Sequence, residues 1–329
     1  MKKRNFLQYA AASASLCLPW AQAKAQAAPF PARPIRVIVP FLAGNVLDNA
    51  MRNVGEEFLK NTGQPLVIEN RAGGAGIIAA QAVMQAPADG YTLLLATNSM
   101  FGINPHTFSK LPYKPDTDFK PVTNVIGMTM VLAVRSDIPA STLAEFIAWV
   151  KGRPGKTSFA SFTAGNSSHF MGIILNQQAG LDMEHIPFNG TPAVVQNLLG
   201  GQIDAAFLPL NAVKPMVDAG RVKVLAVSSP QRSPLLPQVV TFREAGFPAL
   251  EIYIWAGLAA PAHTPDPIIA SLNAAFVKIL QMPELRDKWK ASDMSPIPST
   301  PEAFRQFARE DSKRWGEAVR ISGFKANES

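Results

Sequence analysis

The sequence predicts an α/β protein of two lobes, joined by two crossing strands, with a ligand cleft between them. Three observations predict it. Short apolar runs alternate with helical patterns along nearly the whole chain. The alternation comes in two sets, separated by a proline-rich stretch from Pro105 to Pro121. A last apolar run and three helical stretches then follow without a partner set of their own, so the chain must return to the first lobe.

The first set opens with Ile35–Phe41, an apolar run of the kind found in buried parallel strands. It stops at Leu42-Ala43-Gly44-Asn45. Leu47, Ala50, Met51, Val54 and Phe58 then recur at spacings of three and four, which predicts a helix over Leu47–Asn61. A strand at Pro65–Glu69, a helix at Ile77–Gln85 and a strand at Tyr91–Thr97 follow. Pro105, Pro112, Pro115 and Pro121 mark an irregular connector. Val131–Arg135 reads as a strand and Thr142–Lys151 as a helix capped by Ser141. In the second set, strands are expected at Thr157–Ser161, Met183–Pro187, Ala205–Leu208 and Val224–Ser228. The helices between them are Ser168–Gln178, Ala193–Leu199 and Asn211–Ala219, the last closed by Gly220. Tyr253–Ala260 is one more strand. Pro267, Pro283 and Pro301 each suit the first turn of a terminal helix. Crossings near Gly127–Leu132 and Leu250–Ala256 then divide the chain into lobe 1 (28–128 and 253–329) and lobe 2 (129–252).

The chain has 329 residues, 47% of them hydrophobic, and a formal charge of +7. Met1-Lys2-Lys3-Arg4, the apolar stretch Tyr9–Trp20 and the small residues Ala21–Ala27 form a secretory signal. Residues 1–27 are its expected extent, with Ala23 and Ala25 as alternative cleavage points. Lys3-Arg4 also resembles a degraded twin-arginine motif, which leaves the export route open. Cleavage removes Lys2, Lys3, Arg4 and Lys24 and no acid, so the charge falls from +7 to +3. The remaining basicity is modest and forms no block with interleaved aromatics, which argues against nucleic acid. The one cysteine, Cys17, lies in the signal, so disulfides, thiol nucleophiles and thiolate metal sites are excluded from the mature chain. A monomer in the periplasm, with no cofactor and no metal, is the expectation.

Four loops follow predicted strands. They are Phe41–Asp48, Thr97–Phe101, Ser161–His169 and Pro187–Thr191. Ligands of open α/β sheets sit at C-terminal strand ends, and helix N-termini there offer free N–H groups to anions. The third loop carries Ser161, Thr163, Asn166, Ser167 and Ser168. Their side chains suit either helix capping or hydrogen bonds to carboxylate oxygens. None of the four loops contains Lys or Arg, so an anion here would be met by N–H groups, helix ends and water. Asp48 falls in a first helical turn, where capping is its expected work. Catalytic motifs fail. Gly155-Lys156-Thr157 lacks the first P-loop glycine, whose place is taken by Val150. Gly73-Gly74-Ala75-Gly76 lacks the third glycine of a dinucleotide fingerprint. No G-x-S-x-G elbow accompanies Ser167, Ser168 and His169, and the four histidines show no H-E-x-x-H spacing. A non-enzymatic binding protein is expected.

Pro34-Ile-Arg-Val-Ile-Val-Pro-Phe41, Glu69-Asn-Arg-Ala-Gly-Gly-Ala-Gly76, Pro87-Ala-Asp-Gly-Tyr-Thr-Leu93, Ile103-Asn-Pro105, Gly200-Gly-Gln-Ile-Asp204, Leu225-Ala-Val-Ser228, Arg232-Ser-Pro-Leu-Leu-Pro237, Glu244-Ala-Gly246, Pro261-Ala-His-Thr-Pro265 and Trp315-Gly316 form a series of motifs. Together they resemble the Bug-type periplasmic solute-binding proteins of tripartite tricarboxylate transporters. The resemblance spans the mature chain in order. It implies a type II periplasmic-binding fold, a small organic carboxylate as ligand and a membrane permease as partner. The site residues expected from the loops and the resemblance are Phe41, Ala43, Gly44, Asn45, Val46 and Leu47, then Asn98, Ser99 and Met100. In lobe 2 they are Ser161, Phe162, Thr163, Asn166, Ser167, His169, Phe188, Asn189 and Asp204. The chain departs from the family pattern at several of these. Asn45 replaces a second glycine, and Val46 and Leu47 replace small or hydroxylated residues. Phe162-Thr163 stand for Pro-Gly, and Phe188-Asn189-Gly190 for Tyr-Lys-Gly. A positive charge is lost and apolar bulk gained, which predicts a dicarboxylate with an apolar or aromatic middle, such as terephthalate. The alternatives are a citrate or other tricarboxylate receptor, and a sensory protein that presents a carboxylate to a membrane histidine kinase.

Overall fold

The computed structural model describes residues 30–326. The export signal read from residues 1–27 lies outside the described residues. Lobe 1 contains β1 (Ile35–Val39), α1 (Val46–Thr62), β2 (Leu66–Asn70), α2 (Ile77–Met84) and β3 (Thr92–Thr97). A π-helical turn, Ser99–Ile103, leads into the short helices α3 (Asn104–Thr107) and α4 (Pro115–Asp118), and β4 (Phe119–Arg135) follows. Lobe 2 contains α5 (Leu143–Lys151), β5 (Ser158–Ser161), α6 (Ser167–Ala179), β6 (Glu184–Pro187), α7 (Thr191–Leu199), β7 (Ala205–Pro209), α8 (Leu210–Asp218) and β8 (Val222–Val227). The chain returns through β9 (Tyr253–Pro261), α9 (Asp266–Leu280), α10 (Pro283–Lys290), β10 (Met294–Pro296) and α11 (Pro301–Ser322).

The strand order is β2-β1-β3-β9-β4-β7-β5-β6, with β8 and β10 also on β4. Strand β4 is the spine. From Phe119 to Thr129 it pairs antiparallel with β9; from Met130 onward it pairs antiparallel with β7 and β8. The directions matter for function. Strands β1 and β3 are parallel to each other, and β3 is antiparallel to β9, which is antiparallel to β4. So β1–β3 run with β4 and end toward lobe 2. Strand β7 runs against β4, and β5 and β6 run parallel to it, so they end toward lobe 1. The C-terminal strand ends of the two lobes therefore face each other across the handover at Thr129–Met130.

Ser228 holds that handover together. It is fully buried. Its hydroxyl accepts from Met130 N at 2.9 Å and donates to Ile252 O at 2.6 Å. Its own N–H donates to Met130 O, and its carbonyl accepts from Ile252 N. Three chain segments thus meet on one side chain.

Two local expectations need correction. The strand expected at Val131–Arg135 begins twelve residues earlier, at Phe119. Pro121, Thr123 and Asn124 interrupt its apolar pattern. The β4–β9 register shifts between Pro121 and Thr123 and between Asn124 and Ile126, and such bulges tolerate a proline and unpaired groups. Ser299 completes the bonding, accepting from Thr123 Oγ1 and from Asn124 N. Helix α5 is capped by Thr142, not Ser141: Thr142 Oγ1 accepts from Glu145 N, and the Glu145 carboxylate accepts from the N–H groups of Ser141 and Thr142. In the lobe 1 core, buried Asp311 accepts from the indoles of Trp255 and Trp315, at 2.7 and 3.0 Å.

Candidate functional site

The first lobe 1 loop is built by its helix cap. Asn45 is extended, and its Oδ1 accepts from Leu47 N at 2.9 Å. Gly44 stands at φ 84°, a left-handed conformation that a side chain would strain. Asp48, with a fully buried side chain, ties the loop down. It accepts from Gly44 N (2.9 Å), Asn70 Nδ2 (2.9 Å), Arg52 Nε (3.0 Å) and Arg52 Nη2 (3.1 Å). Burial opposes ionisation of this carboxyl. The hydrogen bonds from Arg52, Asn70 and Gly44 outweigh it and hold its pKa below the usual carboxylate value. Asn70 also donates to Phe41 O. Ala43, Gly44 and Asn45 are exposed, and Phe41 and Val46 half-buried. Leu42 points outward, 75% exposed, the most exposed large apolar side chain among the described residues.

Two expectations in lobe 1 are corrected here. Leu47 is buried in the core beside Val54 and Phe58, and its N–H is spent on Asn45, so it offers a ligand nothing. Met100 is buried too and fills the space beside Gly76, where a Cβ would come within 2.7 Å of it. Asn98 and Ser99 remain, at the C-terminal end of β3. Asn98 is 2% exposed, and its Nδ2 has no hydrogen-bond partner among the described residues.

In lobe 2 the loop after β5 spends most of its polar side chains on itself. Asn166 caps α6: its Oδ1 accepts from His169 N at 3.2 Å and from Ser168 Oγ at 2.7 Å. Ser168 Oγ in turn accepts from Phe162 N. Ser161 Oγ donates to Thr163 O at 3.0 Å and lies 2.7 Å from His185 Nε2. Thr163 Oγ1 donates to Phe162 O. What stays open is backbone. Ser167 N and Ser168 N make no hydrogen bond among the described residues, as expected of the first turn of a helix. Val46 N, at the start of α1, is in the same position. The loop after β6 leaves Phe188 half-buried and Asn189 exposed, with Phe188 N and Gly190 N bound to Ser161 O and Phe162 O.

Asp204 is a further correction. It precedes β7, at the start of the strand and so at the far end of lobe 2 from the cleft. Its carboxylate accepts from Ser158 N (2.9 Å) and Arg135 Nη2 (3.1 Å), a structural role. A segment missed in the sequence lies at the right end: Pro209-Leu210-Asn211, the last residue of β7 and the first two of α8, with Asn211 half-buried. An Asn just beyond a strand end was the available signal.

A cavity of about 240 Å³ lies between the lobes. Ala75 and Asn104 line it from lobe 1, Ala164 and Gly165 from lobe 2, and Phe324 and Lys325 from the C-terminal segment. A larger cavity, about 480 Å³, belongs to lobe 1 alone, between Phe101–Pro121 and α11; none of the expected site residues lines either cavity. No cluster of three or more metal-ligating side chains occurs among the described residues.

The comparisons with known proteins agree with this geometry. The tripartite tricarboxylate transporter family receptor model matches residues 50–324. BugT of Bordetella pertussis is 33% identical over 297 residues, covering 90% of this chain and 91% of that one. Among solved structures, MatC of Rhodopseudomonas palustris with bound malate superposes with a TM-score of 0.76 at 34% identity, over 88% of this chain and 100% of that one. The R. palustris protein Rpa4515 with adipate gives 0.81 at 28% identity, over 90% and 99%. A two-lobed α/β fold with facing strand ends, matched along nearly its whole described length, makes this chain a member of the Bug-type receptors of the tripartite tricarboxylate transporter family.

Proposed function

We propose that this receptor captures a small organic dicarboxylate with an apolar or aromatic middle, such as terephthalate, in the periplasm and delivers it to membrane permease subunits. One observation carries the reading. Each lobe presents a helix N-terminus with unbonded N–H groups, Val46 in lobe 1 and Ser167 with Ser168 in lobe 2, at strand ends that face each other, and no Lys or Arg stands in those loops. Such a pair suits a ligand with two carboxylates, one per lobe. Phe41, Leu42 and Val46 on one side and Phe162 and Phe188 on the other supply apolar surface for the part between. The buried Asn98 Nδ2, without a partner among the described residues, adds a donor close to the cleft. Relatives of the same fold with adipate and with malate lend support to the ligand class. The lobe boundaries adopted are residue 128 and residue 252, and the receptor acts as a monomer.

Calorimetric titration with terephthalate, adipate, succinate and citrate tests the ligand. Terephthalate or adipate should bind tightest; citrate binding tightest would overturn the apolar-middle reading. The mono-ester of the best ligand should bind about 1.5–3 kcal/mol more weakly for the charged hydrogen bond it gives up. Equal affinity for diacid and mono-ester would refute the two-ended clamp.

A further inference from the structure

The lobe 2 loop leans on a column of rings that reaches back to lobe 1. His169 and His185 stack face to face, with centroids 3.7 Å apart and planes 16° from parallel. Phe324, just beyond α11, sets its edge against His169 at 5.3 Å and against Phe170 at 5.8 Å. The hydrogen bonds assign the tautomers. Gly165 N–H donates to His169 Nδ1 at 3.2 Å, so that nitrogen carries no proton. The single Ser161 hydroxyl hydrogen goes to Thr163 O, so Ser161 accepts from His185 Nε2–H. His169 is therefore a neutral imidazole, and each ring holds one end of the segment between Ser161 and Gly165.

Phe324 belongs to lobe 1 in its attachments and to lobe 2 in its contacts. Its N–H donates to Ser322 Oγ at 3.0 Å, and Ala326 N donates to Thr107 O at 3.0 Å, so lobe 1 fixes the backbone on either side of it. Its ring occupies the space where a Cβ on Gly165 would lie, 2.6 Å away. Gly165 also stands at φ 74°. A glycine there thus serves both the turn and the ring.

We propose that His169 is a positioning residue for the ligand loop 161–167, and that Phe324 makes the position of that loop depend on lobe 1. The ligand role of the loop rests on the function proposed above. When Phe324 is seated, His169 is held against His185 with Nδ1 toward Gly165, and the open N–H groups of Ser167 and Ser168 are held where the ligand needs them. When it is not, the acceptor for Gly165 N–H is free to turn away.

Hydrogen exchange of the segment 161–167, read together with adipate affinity, tests this in Phe324→Ala, His169→Phe and His169→Gln. His169→Phe keeps the stacked ring and loses the acceptor; His169→Gln restores an acceptor. Exchange at Gly165 should quicken about tenfold or more in Phe324→Ala and His169→Phe, beyond the change at amides of the lobe 1 core, with adipate affinity falling by a similar factor. His169→Gln should recover much of both. Unchanged exchange in Phe324→Ala overturns the proposal, and this variant decides alone if His169→Phe does not fold. Quickened exchange with unchanged adipate affinity removes the ligand role of the loop. A wild-type protein that binds no carboxylate refutes the proposed function, while the exchange data still decide the positioning.

Discussion

Asp48→Ala should cost this protein about 3–4 kcal/mol of stability, and the structure says where the loss arises. The carboxylate is fully buried and accepts four hydrogen bonds. Those from Asn70 Nδ2 and Gly44 N reach a charged acceptor away from water, at about 1.5 kcal/mol each. Arg52 is half exposed and regains water when its partner goes, so its pair is discounted to about 0.5 kcal/mol. Asp48→Asn keeps one acceptor oxygen and should cost about half as much. Urea denaturation at pH 7 measures both. The loop should suffer with the fold: Gly44 loses its anchor, and Asn70, which also holds Phe41 O, loses a partner. Ligand affinity should therefore drop in the folded Asp48→Ala protein. The contribution also has a sign with pH. A carboxyl whose folded pKa lies below its unfolded one stabilises above the ordinary carboxylate range, and that stability is lost as pH falls through the depressed value. A stability loss under about 1 kcal/mol, with unchanged affinity, would refute the view that Asp48 ties down the loop.

Two more outcomes follow from the site. Burial pulls the pKa of His169 down to about 4, and burial together with the neighbouring His169 does the same for His185. For a base with a lowered folded pKa, stability is whole above the unfolded value near 6.5, declines as pH falls from there to about 4, and levels off below. The slope is at most about 1.4 kcal/mol per pH unit for each ring, less for half-buried His185. Urea midpoints taken from pH 7 to pH 4.5 should fall, and the fall should flatten in the His169→Gln, His185→Gln double variant; an equal fall in the variant would refute the assignment of neutral rings. Asp204→Asn should lower the melting temperature while leaving ligand affinity unchanged, because Ser158 and Arg135 hold its carboxylate at the end of lobe 2 away from the cleft. A matching loss of affinity would return Asp204 to the binding site.

What was legible in the sequence, and what was not, follows from the range of the interactions. The parallel strands and their helices show as runs and spacings because each buries its own apolar residues, as Ile35–Val39 and α1 do. The front half of β4 was hidden because its pattern is broken by Pro121, Thr123 and Asn124, and the groups that repair the break lie on Ser299, 175 or more residues away. The link between Phe324 and Gly165 is non-local in the same way.

The polar residues of the loops teach a second point. Their presence was readable, but their allocation was not, since a serine that caps and a serine that binds look alike in one dimension. Asn45, Asn166, Ser161 and Ser168 turn out to build the loops, and the groups left open are backbone N–H. That moves the expected seat of ligand preference. Of the three departures Asn45-Val46-Leu47, Asn45 is spent on its cap and Leu47 on the core, which leaves Val46 with its half-buried side chain and free N–H. In lobe 2 the same reasoning leaves Phe162 and Phe188, half-buried side chains whose backbone N–H groups are already bonded. Charge recognition by backbone is largely independent of side-chain identity, so helix N-termini can serve many carboxylates. In the proposed clamp, discrimination among them falls to apolar side chains at the rims, and Val46, Phe162 and Phe188 are the departures from the family pattern expected to provide it.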